Sequence, residues 1–138
     1  MNVYFPTISK IKFEGKDSKN PMAFRYYDPE KVVYGRKMKD WFKFSMAWWH
    51  TLCSESSDPF GGDTKDFPWN QATDPVQAAK DKIDAGFEFM QKIGINYYCF
   101  HDIDLVEEAD TIEEYEARLK ADRKSVVEGK SVDIGGRR

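Results

Sequence analysis

The chain has 138 residues, 41% apolar and 33% charged, with 24 acidic side chains against 21 basic and a formal net charge of −3. That length and balance fit one globular domain and exclude a disordered chain. The slight negative charge excludes an electrostatic case for nucleic acid or an anionic membrane as partner, and the 15% of aromatic residues predicts large apolar walls in a core or a binding site.

The opening MNVYFPTISKIKFEG lacks the apolar core of a signal peptide, and no apolar run reaches membrane-spanning length. Cys53 and Cys99 lie far apart, without metal-ligand spacing, so neither a zinc site nor a disulfide is expected and a reduced, cytoplasmic setting fits. Residues 1 to 27 show no clean period and read as an extended, turn-rich arm. DPEKVVYGRKMKDW, residues 28 to 41, predicts a short helix capped by Asp28 with Pro29 in its first position, weakened by Gly35. KFSMAWW, residues 43 to 49, alternates bulky Phe44, Met46 and Trp48 with Ser45, Ala47 and Trp49, which predicts a strand. The polar segment SESSDPFGGDTKDFPWNQ that follows is too long for a hairpin turn, and its Phe60, Phe67 and Trp69 predict packing against something.

ATDPVQAAKDKIDAGFEFMQKIG carries the clearest helix signal: Asp74 as cap, Pro75 in the first position and Gly94 as stop. Val76, Ala79, Ile83, Phe87 and Met90 form one apolar stripe. INYYCF then predicts a mostly buried strand. TIEEYEARLKAD predicts another helix, with Thr111 and Glu114 as a capping box and Ile112, Tyr115 and Leu119 as its face. The order strand, helix, strand, helix points to an α/β fold with parallel strands joined by helical crossovers. Two such units leave both sheet edges open, so further units are expected for a stable domain. The last sixteen residues, RKSVVEGKSVDIGGRR, carry five basic and two acidic residues, which leaves −6 on the 122 before them. This abrupt change is that of a basic surface tail, or of the translated adapter read-through that the segment resembles.

In β/α proteins, working residues gather where strands run into helices. Trp49 and His101 both occupy such ends and share the small-residue parity of their strands, so they are expected side by side at one rim. Asp104 follows His101 by three residues. Its carboxylate could accept from the histidine Nδ1–H and free Nε2 for a substrate oxygen, provided that the chain turns there; Asp102 would point to the opposite face. A histidine merely satisfied by a local acid at a strand end has the same spacing, and both readings stay open. His101, Asp102, Asp104, Glu107 and Glu108 could together hold a hard cation, but they match no ligand pattern. Glu107, Glu108 and Asp110 also suit a solvated helix entrance.

KIKFEGKDSKNPMAFRYYDPEKVVYGRKMKDW, MAWWHTLC, DPFGG, FPWN and YYCFHDIDLVEEADTIEEYEARL, in that order, closely resemble xylose isomerase, in particular its longer-chain class with an N-terminal extension. The likeness runs over nearly all of residues 3 to 122. It implies an N-terminal extension over 1–40, the first two β/α units of a (β/α)8 TIM barrel over 41–122, and an unrelated tail over 123–138, leaving the barrel incomplete. It implies His101 as the catalytic histidine that assists sugar ring opening and Asp104 as the carboxylate holding its tautomer. Trp49 is implied as the apolar wall of the substrate pocket, and Phe60 as a residue supplied to a neighbouring subunit. The family isomerises an open-chain aldose to a ketose by a hydride shift, with two divalent cations (Mg, Mn or Co) and as a homotetramer. The metal ligands lie on later strands, so no residue here is assigned to metal and the 138 residues alone are expected to be inactive. A stand-alone aromatic-rich binding or oligomerisation module, and an isomerase of another aldose, are the competing expectations.

Overall fold

The computed structural model describes residues 2–56 and 64–129, with side chains up to Asp122. Near the N-terminus, β1 (Val32–Val33) and β2 (Arg36–Lys37) pair antiparallel. Tyr34 and Gly35 between them have φ of 48° and 77°, the two left-handed residues that a two-residue hairpin turn uses to match strand twist. The helix expected over 28–41 is therefore corrected to a hairpin followed by one helical turn, α1 (Met38–Trp41). Asp28 does accept the Glu30 N–H at 3.1 Å, but it closes a turn. The β-branched Val32–Val33 pair and Gly35 favour the hairpin over propagation of a helix.

The centre of the fold is a parallel pair, β3 (Ser45–Ala47) and β4 (Tyr97–Cys99), in register Ser45↔Tyr97, Met46↔Tyr98 and Ala47↔Cys99. The expected strand over 43–49 stops at Ala47. The chain then coils into α2 (Trp48–Leu52), which turns Trp48 and Leu52 into the core. The crossover helix α3 (Pro75–Ile93) begins as its caps predict: the Asp74 carboxylate accepts the Gln77 N–H at 3.2 Å, and Gly94 ends the helix at φ 74°. Ala79, Ile83, Phe87 and Met90 of the expected stripe are buried, and Val76 is half-buried. Gly86 lies on the same side, where a Cβ would come within 2.6 Å of the Trp48 ring and 2.8 Å of Leu52. That glycine is what lets α2 approach α3.

Aromatic rings fill the space between helix and sheet. Trp48 contacts Phe87 and Tyr98 at centroid distances of 6.2 and 5.6 Å. Of the aromatic residues expected to pack from the long polar segment, Phe67 and Trp69 do so, stacked at 4.6 Å around a 3-10 turn (Pro68–Asn70). The Trp69 indole N–H donates to the Leu52 carbonyl at 3.1 Å. Phe60 lies outside the described residues. The expected burial of β4 is corrected as well: Tyr97 is 48% exposed and Phe100 38%, because among the described residues β3 alone pairs with β4.

Residues 4–11 are tied to α3, with the Ile11 N–H donating to the Lys92 carbonyl at 2.7 Å. The Glu88 carboxylate accepts the Tyr4 and Phe5 N–H groups at 2.7 and 3.2 Å and pairs with Lys92 at 2.9 Å. Burial pushes this carboxyl up, but these donors outweigh it and hold it below the usual range. A short turn, α4 (Asp102–Leu105), follows β4, and α5 (Ile112–Gly129) closes the chain against α3. Thr111 caps α5 by accepting the Glu114 N–H at 3.2 Å, while the Glu114 side chain pairs with Arg118 at 2.6 Å instead of completing a capping box. Ile112 is 75% exposed, so the inner face of α5 is Tyr115, Leu119 and Asp122. The helix crosses residues 122–123 without a break.

Candidate active site

β4 delivers His101 to the end of the sheet, and the chain coils at once into α4. This is the turn that the His101–Asp104 spacing requires. The Asp104 N–H donates to the His101 carbonyl at 3.1 Å. In return, Asp104 Oδ2 accepts the His101 backbone N–H at 2.7 Å and lies 3.1 Å from His101 Nδ1. One carboxylate oxygen thus grips both main chain and ring. Asp104 is 6% exposed, whereas the His101 side chain is 63% exposed. A carboxylate oxygen facing Nδ1 as acceptor selects the Nδ1–H tautomer and leaves Nε2 with a lone pair toward the open rim.

Trp49 stands beside this ring, at a centroid distance of 4.6 Å and an interplanar angle of 42°. The rim that strand parity predicts for Trp49 and His101 is therefore present, although α2 and not the strand itself carries Trp49. Asp102 is turned away: its carboxylate accepts the Ile103 N–H at 3.1 Å and faces Tyr115 of α5. Among the described residues no three His, Cys, Asp or Glu side chains converge as a metal site would require, so His101, Asp102, Asp104, Glu107 and Glu108 do not form the cation cluster their spacing allowed. No chemistry is assigned to a cation at the described residues.

Behind the pair, the Asp104 main-chain carbonyl accepts the Lys82 ammonium at 3.2 Å and the Cys53 thiol at 3.5 Å. Burial pushes the Cys53 thiol up, which keeps it protonated and able to donate. Both cysteines are free. Sequence reading missed Lys82 because a lysine on an amphipathic helix looks like solvated surface. Gly86, a glycine interrupting an apolar helix face, did carry a signal of close packing.

The arrangement can hold the imidazole in one tautomer, with Nε2 offered to a hydroxyl or ring oxygen and an apolar indole wall beside it. No family model matches the chain. It is 78% identical over 117 residues to xylose isomerase of Phocaeicola vulgatus and 77% identical over 117 residues to that of Bacteroides fragilis; each match covers 85% of this chain and 27% of the relative. To xylose isomerase of Thermotoga neapolitana it is 51% identical over 114 residues, 83% of this chain and 26% of the relative. The chain spans about a quarter of the length of these relatives, and over 85% of its own residues it is similar to xylose isomerase.

Proposed function

We propose that these residues are the first two β/α units of a D-xylose isomerase, with residues 1–40 as its N-terminal extension and residues 123–138 foreign to the barrel. The observation that carries this reading is 78% identity over 117 residues. In the whole protein His101 Nε2 moves a proton at the sugar ring oxygen or its hydroxyl to open the ring, and Asp104 holds the Nδ1–H tautomer throughout. Trp49 excludes water from the apolar side of the sugar. Phe60 reaches the pocket of a neighbouring subunit in a homotetramer, and the setting is cytoplasmic, consistent with two free cysteines.

Two divalent cations, Mg, Mn or Co, supply Lewis-acid polarisation for the hydride shift when bound, on residues outside these 138. A (β/α)8 barrel takes roughly 250 residues, so the 138-residue chain alone does not isomerise sugar. The test is to express the gene extended through the remaining units and to assay xylose-to-xylulose conversion with Mg2+ and with chelator. Metal-dependent conversion is expected, with a loss of about a hundredfold in kcat for His101→Asn. An extended protein that is inactive on xylose but active on another aldose, or turnover by the 138 residues alone, would overturn it.

A further inference from the structure

α4 has four residues, too short to be stable by its own hydrogen bonds, yet it aims the carboxylate that holds His101. The carbonyls in the last turn of a helix have no partner within it, and a cation there is favourable both as donor and against the helix dipole. Asp104 carries such a carbonyl, and Lys82 reaches it from the middle of α3, a helix of 19 residues anchored at both ends. Cys53, just past the end of α2, donates to the same oxygen. The turn that carries Asp104 is therefore tied to the longest described helix by one half-buried ammonium.

We propose that Lys82 is a positioning residue for the His101–Asp104 pair. It holds the Asp104 main chain so that one carboxylate oxygen meets both the His101 N–H and Nδ1. Lys82 touches no reacting atom, and its effect reaches the chemistry only through the tautomer and direction of the imidazole. The inference rests on His101–Asp104 being the working pair, but its test needs no substrate.

Imidazole nitrogen NMR and amide hydrogen exchange are measured on the 138-residue chain, on Lys82→Met and on Lys82→Arg. Lys82→Met is expected to mix the His101 tautomers and to cut protection of the His101 amide about tenfold, the size of one charge-assisted hydrogen bond. Amides in the middle of α3 should keep their protection. Lys82→Arg, which keeps a donor of similar reach, should stay within about twofold of the parent. If Lys82→Met does not fold, Lys82→Gln carries the same measurement. A folded Met or Gln variant with the parent tautomer and parent His101 protection overturns the proposal. Unfolding of both overturns it too, because Lys82 would then hold the domain and not this turn. A tautomer shift alongside an inactive extended enzyme would retire the catalytic reading of the pair and leave this one standing.

Discussion

Asp122 is 0% exposed on the inner face of α5, and among the described residues neither carboxylate oxygen has a hydrogen-bond partner. An ionised acid in that position loses its hydration without compensation. Burial pushes its pKa from 3.8 to about 6, against the opposing pull of Lys82 and Lys80 of α3. Below pH 3.8 the group is protonated both folded and unfolded, and it costs nothing. As pH rises toward 6 the unfolded chain ionises first, so the folded state binds more protons and stability falls. Above pH 6 the loss is complete: about two pH units at 1.36 kcal/mol each, or about 3 kcal/mol. Asp122→Leu removes this cost and adds apolar burial. Urea unfolding at pH 7.5 should show it more stable than the parent by about 3 kcal/mol, which raises Tm by about 10 °C. Near pH 4 the gain should shrink to the apolar burial of leucine alone. Asp122→Asn should also lose the pH slope. Equal pH dependence in parent and Asp122→Leu, or a more stable parent at pH 7.5, would refute the reasoning.

Gly86→Ala pushes a methyl into Trp48 and Leu52, both 1% exposed and unable to retreat, so a loss of about 1–3 kcal/mol is expected in the same unfolding assay. Asp74→Ala removes the cap of α3 and should lower stability by about 1 kcal/mol, with Asp74→Ser recovering most of it. Phe42, Phe44 and Tyr97 are each about half exposed beside an open two-stranded sheet. Sedimentation velocity of the 138-residue chain should show concentration-dependent association that Phe44→Ser with Tyr97→Ser reduces. A strictly monomeric parent would count against that view of the sheet.

Much of the helical structure was legible along the chain. Asp74, Pro75 and Gly94 bound α3 where caps and a helix stop predict, because these signals act over three or four residues of backbone. The hairpin was not legible: Asp28-Pro29 reads as a helix start, and only the left-handed pair Tyr34–Gly35 closes a two-residue turn instead. At the site, strand parity foretold that Trp49 meets His101, although α2 makes the contact, and the three-residue spacing of Asp104 required a turn that α4 supplies. Lys82 and Cys53 were invisible, because they meet Asp104 across 22 and 51 residues of chain.

By itself the sequence determined the alternation of strand and helix, the buried face of α3, the candidate pair His101–Asp104 and the family likeness. These are properties of local spacing and of residue identity. The tertiary structure alone decided that α2 and not the strand carries Trp49 to the rim, that Lys82 and Cys53 meet the Asp104 carbonyl, and that Asp122 is buried with no hydrogen-bond partner among the described residues. Each of these depends on how closely α2, α4 and α5 approach α3, which for α2 is set by Gly86, and no periodicity along the chain encodes these distances.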